Sequence, residues 1–528
     1  MLHDQKFISE ENVLRLEKGK RGLLNVLFGR TTIILAILAI QFMFLFSAFQ
    51  WLERYVPYLW GASMLLAVAV VLHLMNHDDD PTVKLTWILL VVALPFFGTM
   101  LYLWIRNDIG HRILHKRLDT LVANTKDMVV SEPEVLQEIK EQHRELYDLT
   151  TYLDCCGSYP VFKNSYVKYY PSGEDKFEDL LFELEMAKEF IFLEYFIIDE
   201  GYMWGRVLDI LSRKVREGVE VRVMYDGTCA IYKLPYNYPK KLRKLGIKCK
   251  MFAPIRPFVS THYNNRDHRK ILVIDGHTAF TGGINLADEY INQKELFGHW
   301  KDTAVKVKGE AVKSFTLMFL QMWNVAERSE NYGKYLDRDF KLSPSGNGYA
   351  LPYGDSPLDR ERTGEMIYYD ILNRAEEYVH IMTPYLILDN EIITALTFAA
   401  KRGVQVQIIL PHIPDKKYAF ALAKTHYKQL IRAGVEIYEY LPGFVHAKVF
   451  TSDDKKAVVG TINLDYRSLY HHFECGLYLY HSSEISVIEE DFQKTRKKCK
   501  KITMEDVRKE KLTWRIAGLF LKLVAPLM

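Results

Sequence analysis

Hydrophobic residues are concentrated near the front of the chain, in three uncharged segments at 31–52, 55–77 and 85–105. Each segment is long enough to cross a hydrocarbon layer of about 30 Å as an α-helix. Aromatic residues such as Trp60 and Trp104 lie near the segment ends, as the interfacial anchors of membrane helices do. Pro95 and Gly98 interrupt the third segment, which membrane helices tolerate. The pattern predicts an all-α transmembrane region within residues 1–110.

Basic residues flank this region on both sides and leave its topology open. Lys20 and Arg21 precede the first segment, and Lys116 and Arg117 follow the third. Cytoplasmic flanks of membrane segments carry an excess of Lys and Arg, so both flanks are expected in the cytoplasm. Three full crossings would place them on opposite sides. Either one segment is re-entrant or interfacial, or the rule fails here. We expect a multi-pass protein of the cell membrane with its catalytic domain in the cytoplasm.

Beyond residue 116 the pattern changes to short apolar strands that alternate with helices, after a polar helical connector at 132–150. Two stretches read as strand, helix, Gly turn and strand; they comprise 190–196 with 217–224, and 378–385 with 402–409. This is the βαβ pattern, which forms parallel strands. Gly218 and Gly403 occupy equivalent turns. Internal duplication of one α/β unit is the simplest explanation.

The chain therefore divides into five predicted parts. They are the membrane region (1–110), a connector (111–165), a first α/β half (166–335), a second α/β half (336–505) and a C-terminal helix (506–528). The last part alternates Leu512, Trp514 and Leu519 with basic residues and follows a basic run. Such an amphipathic helix is typical of binding to an anionic lipid surface.

Each half contains one copy of the motif H-x-K-x4-D. The copies consist of His268, Lys270 and Asp275 in the first half, and His446, Lys448 and Asp453 in the second. Gly282 and Asn285 follow the first motif at the same spacing as Gly460 and Asn463 follow the second. Two copies with matched offsets in a duplicated scaffold are not a coincidence, so we expect the motifs to form one active site.

The spacing within the motif indicates where each side chain points. Apolar residues such as Leu272 and Val273 mark a strand, in which residues i and i+2 share a face. The histidine and lysine of each motif should therefore project together. The aspartate lies at an odd spacing, and Asp275 with Gly276 forms a hairpin-turn signal. We therefore expect both aspartates to hold the loop rather than to contact substrate.

Two histidines and two lysines at one site suit a phosphodiester substrate. Lysine ammonium groups would neutralise the non-bridging oxygens, with Asn285 and Asn463 as further phosphate-binding donors, so no metal ion or other cofactor is expected. One neutral imidazole could attack phosphorus, while the other donates a proton to the leaving alkoxide. Because these roles need opposite protonation states, the two histidines must have different environments.

An acidic partner would fix the tautomer of each imidazole. The candidates are Asp302, which lies 34 residues after His268, and Glu474, which lies 28 residues after His446. We expect each acid to orient the histidine of its own half. His471 and His472 lie close to the second motif in sequence. We expect them either at the surface or behind the residues that contact substrate.

Composition excludes several classes of protein. The chain has 528 residues, a net charge of +3, 49% hydrophobic residues and six cysteines without Cys-x-x-Cys spacing. A disulfide scaffold and a largely disordered chain are excluded, because the cysteines are few and the apolar content can form a core. The near-neutral charge also argues against a nucleic-acid partner.

The paired motifs with G-G-x-N and G-T-x-N resemble the phospholipase D superfamily. The stretches 265–270, 280–285 and 298–303, and the hydrophobic region that ends at 94–98, are similar to bacterial cardiolipin synthases. The resemblance covers nearly the whole chain. It implies two duplicated phospholipase D-like α-β-α halves with one shared active site. Such enzymes commonly show two membrane segments, whereas three are counted here.

The resemblance also implies an activity: two phosphatidylglycerol molecules exchange to give cardiolipin and glycerol through a phosphatidyl-histidine intermediate. It makes His268 the nucleophile and His446 the acid and base, and it includes Asp275 and Asp453 in the active-site motif. Phosphatidylglycerol and anionic membrane lipid are the expected partners. A phospholipase D-type hydrolase is one alternative, because water and an alcohol differ only as acceptors. A nucleic-acid phosphodiesterase is another, because fold alone does not determine substrate.

Overall fold

A computed structural model describes residues 39–40, 42–43, 56–77, 80–106, 109–254, 265–325, 331–338, 340, 345–359 and 361–525. The hydrophobic segment at 31–52 therefore lies almost entirely outside the described residues, as does the end of the predicted C-terminal helix at 526–528.

The α-helices are α1 (Val56–Asn76), α2 (Pro81–Ala93), α3 (Pro95–Arg106), α4 (Ile109–Thr125), α5 (Pro133–Gln142), α6 (Arg144–Gly157), α7 (Gly173–Glu185), α8 (Tyr202–Arg216), α9 (Cys229–Tyr232), α10 (Tyr238–Lys244), α11 (Val312–Asn324), α12 (Gly333–Leu336), α13 (Thr363–Arg374), α14 (Asn390–Lys401), α15 (Lys417–Ala433), α16 (Tyr466–Tyr470), α17 (Glu484–Arg496), α18 (Met504–Lys509) and α19 (Leu512–Val524). Short 3₁₀ helices cover Lys126–Met128 and Asp288–Ile291.

The strands are β1 (Phe162–Tyr170), β2 (Phe190–Tyr195), β3 (Glu220–Asp226), β4 (Lys248–Phe252), β5 (Arg266–Asp267), β6 (Lys270–Ile274), β7 (Thr278–Gly282), β8 (His299–Lys301), β9 (Ala304–Lys308), β10 (Ser345–Asp355), β11 (Tyr378–Met382), β12 (Leu386–Ile387), β13 (Gln405–Pro411), β14 (Glu436–Tyr440), β15 (Gly443–Val445), β16 (Val449–Ser452), β17 (Lys456–Gly460), β18 (Leu464–Asp465), β19 (His472–Tyr480) and β20 (Cys499–Ile502).

The N-terminal hydrophobic segments fold into helices that differ from the prediction in one place. The second segment forms α1, but the third is divided between α2 and α3, so the prediction of one helix over 85–105 is wrong. Leu94 has φ −133° and ψ 72°, since a residue before proline avoids the helical region and Pro95 has no N–H to continue α2. Within the described ranges, none of the helices combines the length and hydropathy of a membrane crossing.

The catalytic body is built on one 16-stranded sheet with an internal repeat. One half has the strand order β4-β3-β2-β6-β7-β9-β1, and the other has β14-β13-β11-β16-β17-β19-β10 with β20 added at its outer edge. The two orders are equivalent, which confirms the predicted duplication. The βαβ strands are parallel as expected, whereas β6 and β16 join them in antiparallel fashion, so the sheet is mixed.

Strands β1 and β10 pair antiparallel and join the halves into one sheet. Each half has its own core, around Trp204 and Leu272 in the first and around Ile408 and Phe450 in the second. A third cluster contains apolar side chains from both halves and from α11. Because one core is shared, the burial of apolar surface fixes the halves together and positions the two motifs relative to one another.

Candidate active site

Each motif leads into a tight hairpin. Lys270 begins β6, which pairs with β7, and Val449 begins β16, which pairs with β17. Asp275 and Gly276 both have positive φ, of 52° and 69°, which is the conformation that a two-residue hairpin turn requires. The predicted hairpin is therefore confirmed, and the histidines lie just before the strands rather than within them.

The motif aspartates bind backbone N–H groups of a neighbouring loop. Asp275 accepts hydrogen bonds from the N–H groups of Lys188, Glu189 and Phe190, all at 2.8 Å. Asp453 accepts three equivalent bonds at 2.9 Å, from the N–H groups of residues 376–378. Each carboxylate thus ties the end of a hairpin to the start of β2 or β11, which is the loop-holding position expected from the sequence.

The lysines of the motifs lie beside the histidines. Lys448 Nζ is 2.9 Å from Nδ1 of His446, and it also donates to the carbonyl oxygen of that residue. Lys270 Nζ donates to the carbonyl oxygen of His268 at 2.5 Å. All four side chains are buried. The histidine and lysine of each motif therefore project to the same side, as the i, i+2 spacing predicts.

The acidic partners of the histidines are exchanged between the halves. His268 Nδ1 lies 2.9 and 2.8 Å from the two carboxylate oxygens of Glu474, and His446 Nδ1 lies 2.7 Å from Oδ2 of Asp302. The prediction that each acid orients the histidine of its own half is wrong. Both acids do contact an imidazole, so the choice of residues is correct and the pairing is crossed.

Two short parallel strand pairs explain the crossing. Strand β5, just before His268, pairs with the start of β19, and β8 pairs with β15, just before His446. The N–H of His268 then donates to the carbonyl oxygen of Phe473 at 2.9 Å, and the N–H of His446 donates to that of Lys301 at 2.7 Å. Each histidine is thereby held next to the residue that precedes the acid of the other half.

The surroundings of the two acids differ in spite of this symmetry. A Cβ on Gly283 would meet Asp302 Oδ1 at 2.0 Å, so only glycine leaves room for that carboxylate. The equivalent residue in the second half is Thr461, whose hydroxyl donates to Glu474 Oε2 at 2.5 Å. The difference between G-G-x-N and G-T-x-N in the sequence therefore reflects two distinct acid environments.

Burial and positive neighbours keep the histidines neutral. Burial lowers the pKa of His268 well below its usual value, and the charges of Lys270 and Lys448 lower it further. Burial and Lys448 lower the pKa of His446 to about 4, against the opposing effect of Asp302. Thr461, which follows the second motif, donates to Glu474, the partner of His268, so residues of both motifs meet at one site. Neutral imidazoles are available as nucleophiles.

Burial also acts on the lysines. It lowers the pKa of Lys270 to about 8 and that of Lys448 to about 7, while Glu474 and Asp302 oppose this effect. An anion that enters the site would favour the charged form of both lysines. The site is thus a buried basic pocket suited to a phosphate group.

Asn285 and Asn463 are buried and already have protein partners. Asn285 accepts a hydrogen bond from the N–H of Ile197 and donates to the hydroxyl of Tyr290 at 2.7 Å. Asn463 donates to the hydroxyl of Ser468 at 3.0 Å. These contacts show the two amides bracing the loops around the site. Their role in phosphate binding stays a prediction.

Two further residues lie at the site, of which Lys176 was not predicted and His472 was expected either at the surface or in a supporting position. Lys176 on α7 is buried, with Nζ 3.2 Å from the hydroxyl of Tyr195, and its pKa is lowered to about 7 by burial while it interacts with Asp302 and Lys270. A lysine on the apolar face of an amphipathic helix, one position before Phe177, is the sequence signal. His472 is buried with its ring 5.4 Å from that of His268, so the expected surface or secondary role becomes a place beside a motif histidine.

Donor atoms of His268, His472 and Glu474 lie within 4.8 Å of one another. Two imidazoles and a carboxylate can bind a transition metal in other proteins. Here Lys270 and Lys448 act on the same imidazole, and their positive charge opposes a cation. The expectation that the site works without a metal ion stays a prediction.

The duplicated sheet with one H-x-K-x4-D motif in each half defines a phospholipase D-type protein. A crystal structure of phosphatidylserine synthase from Haemophilus influenzae has the same fold, with a TM-score of 0.55 and 15% identity over 73% of this chain and 97% of that one. The family model described as cardiolipin synthase, PLD-like domain, matches residues 180–323 and 368–496, and the model described as phospholipase D-nuclease N-terminal matches residues 65–107.

Cardiolipin synthases from two bacteria are similar along most of their length. That of Alkalihalophilus pseudofirmus is 32% identical over 87% of this chain and 92% of the relative. That of a Geobacillus species is 32% identical over 89% of this chain and 94% of the relative. The chain belongs to the bacterial cardiolipin synthase family of the phospholipase D superfamily, and it is an enzyme. The resemblance inferred from the motifs is therefore confirmed.

Proposed function

We propose that this enzyme is a membrane phosphatidyltransferase that forms cardiolipin and glycerol from two phosphatidylglycerol molecules. The observation that carries the proposal is the pair of crossed contacts, His268 with Glu474 and His446 with Asp302, beside two buried lysines. Two imidazoles oriented through Nδ1 leave both Nε2 atoms for chemistry, one on each side of a phosphate.

In the first step, Nε2 of His268 attacks the phosphorus of phosphatidylglycerol. The bond from phosphorus to the glycerol oxygen breaks, and its electron pair goes to that oxygen, which takes a proton from His446. Glycerol leaves, and a phosphatidyl group remains on His268. Lys270 and Lys448 stabilise the charge on the non-bridging oxygens, with Asn285 and Asn463 as further donors.

In the second step, His446 takes the proton from the headgroup hydroxyl of a second phosphatidylglycerol. That oxygen attacks phosphorus, the phosphorus–nitrogen bond breaks, and its electron pair returns to His268. Cardiolipin is released and both histidines regain their first protonation states. His446 needs a proton in the first step, and the negative charge of the bound phosphodiester favours its charged form.

We propose that hydrophobic surfaces at both ends of the chain hold the enzyme on the membrane. Leu65 and Val92 on the N-terminal helices, and Leu519 and Phe520 on α19, are all more than half exposed. Helices α2 and α19 are in contact, because the hydroxyl of Thr86 donates to the carbonyl oxygen of Leu523. Large exposed apolar patches are typical of membrane or protein contact. This supports a membrane region within 1–110 and an interfacial helix in 506–528.

The product assay tests the proposed function. Purified enzyme in mixed micelles receives phosphatidylglycerol labelled in its phosphate, together with a chelator of divalent cations. We expect labelled cardiolipin and one free glycerol for each cardiolipin formed. Phosphatidic acid and glycerol without cardiolipin would overturn the proposal in favour of a hydrolase. Protease accessibility of the catalytic body in sealed vesicles tests the proposed cytoplasmic side.

A further inference from the structure

The two histidine–acid contacts share a third element, an aromatic ring two residues before each acid. Trp300 precedes Asp302 and packs on His446, with ring centroids 5.4 Å apart and an interplanar angle of 44°. His472 precedes Glu474 and packs on His268, also at 5.4 Å, with an angle of 39°. The positions are equivalent under the internal repeat, but one holds an indole and the other an imidazole.

Both nitrogens of His472 are buried without hydrogen bonds among the described residues, and Trp300 has one such atom, its Nε1. His472 is 7% exposed. Its nearest acidic atom is Oε1 of Glu474, 3.7 Å from Nδ1. A buried polar atom without a partner costs about 1–3 kcal/mol, so one that persists calls for an explanation in function.

We propose that His472 is a positioning residue that designates His268, rather than His446, as the nucleophile. The inference rests on the proposed phosphatidyltransferase mechanism. It explains how a nearly symmetric site gives its two histidines opposite roles.

The explanation lies in the sharing of one carboxylate. Glu474 Oε1 lies 2.9 Å from His268 Nδ1 and faces Nδ1 of His472 on its other side. An N–H of His472 turned toward this oxygen acts across 3.7 Å as a dipole and offsets part of the negative charge of Glu474. The carboxylate then attracts a proton on His268 less strongly, so His268 remains neutral and nucleophilic. Trp300 carries one donor and no acceptor, and within the described part of the chain its Nε1 has no hydrogen-bond partner.

Several charged or titratable groups contribute to this balance. Those that act on His268 besides Glu474 and His472 are Lys270, Lys448, His446 and Lys416. Those that act on His472 are Glu474, His268 and Arg467. Burial lowers the pKa of His472 to about 3, so its imidazole is a neutral donor rather than a cation near neutral pH. The lysine charges act on both motif histidines, whereas His472 acts on His268, and Thr461 opposite Gly283 is a further difference between the two acids.

Formation of the phosphatidyl-histidine in rapid-quench experiments tests the proposal. Labelled phosphatidylglycerol is mixed with wild-type enzyme, His472→Phe, His472→Gln and Trp300→Phe at a series of pH values. His472→Phe retains a ring but removes both nitrogens, and we expect the acidic limb of the rate of adduct formation to move up by about one pH unit, which makes the reaction about tenfold slower on that limb. His472→Gln retains an N–H for Glu474 and should stay within about threefold of wild type.

Trp300→Phe is the matched control, because it removes the N–H from the equivalent ring of the other half. Its acidic limb should coincide with that of wild type. The proposal is overturned if the acidic limb of the rate of adduct formation in His472→Phe coincides with that of wild type. It is also overturned if His472→Phe and His472→Gln lose the same fraction of that rate, which would indicate that His472 acts through packing alone. If His472→Phe does not fold, His472→Met takes its place, and the expected result is the same. A wild-type enzyme without any adduct would instead overturn the proposed function.

Discussion

Nδ1 of His268 lies 2.8 Å from the carboxylate of Glu474, a residue that the chain reaches 206 positions later. The equivalent contact joins His446 to Asp302, so each half of the protein orients the histidine of the other half. Neither half can therefore form a complete catalytic group alone. The shared core and the sheet junction at β1 and β10 are requirements for catalysis as well as for stability.

A double-mutant cycle on stability tests the crossed pairing. His268→Ala and Glu474→Gln remove partners of one buried contact, so we expect a coupling free energy of about 1–3 kcal/mol between them in chemical unfolding. The cycle of His268→Ala with Asp302→Asn should give a smaller value, because those residues share no hydrogen bond. A larger coupling in the second cycle than in the first would favour pairing within each half.

The motif aspartate is expected to affect stability more than chemistry. Asp275→Asn replaces one carboxylate oxygen by an amide that cannot accept the N–H of Lys188, so we expect a loss of about 1–3 kcal/mol in the free energy of unfolding. The turnover of the folded fraction should stay within about tenfold of wild type. Unfolding curves and active-site titration separate the two effects. A loss of turnover as complete as that of His268→Ala, without loss of stability, would place Asp275 in contact with substrate.

The burial of His446 makes stability depend on pH. Its pKa is lowered from 6.5 to about 4 in the folded chain, so between these values the unfolded chain binds a proton that the folded chain does not. Stability should therefore fall as the pH is lowered from about 6.5 toward 4. His446→Asn cannot bind that proton, and its melting temperature should fall less over this range. Equal slopes for the variant and wild type would contradict the assignment.

Lys176 offers a test of the electrostatic role of buried lysines. Its amine interacts with Lys270 and Asp302 from a fully buried position on α7. Lys176→Met keeps the length of the side chain and removes a buried charge. The free energy of unfolding should therefore either increase or decrease by less than about 1.5 kcal/mol. Turnover should fall by about tenfold, because positive charge near the phosphate is lost. Unchanged turnover in a folded variant would show that Lys176 is only part of the core.

The sequence predicted the repeat, the strands and the motif residues because these depend on local patterns. The H-x-K spacing determines which side chains share a face, and Asp275 with Gly276 determines a hairpin whatever surrounds it. The interruption of the helix before Pro95 also depends on local sequence. The uniform hydropathy of the segment 85–105 nevertheless led to the prediction of one helix. Asp302 and Glu474 were identified for the same reason, since an apolar-rich strand sequence follows each of them.

The crossed contacts could not be predicted, because sequence spacing carries no information about which half an acid faces. That choice is made by the pairing of β5 with β19 and of β8 with β15, two-residue and three-residue strands without a distinctive pattern. His472 was considered a surface or secondary residue for a similar reason. Its place against His268 follows from the same strand pairing, which a single sequence does not reveal.

The position of the covalent adduct tests the central claim most directly. The variant His446→Asn should form the phosphatidyl-histidine slowly, because the acid for the leaving glycerol is missing, and should then retain it, because the base for the second step is missing as well. Labelled phosphatidylglycerol, quenched in alkaline detergent and followed by peptide mapping, should place the label on His268. His268→Asn should give no label at all. A label on His446 in His268→Asn, or a label on a residue other than His268 in His446→Asn, would contradict the proposed mechanism.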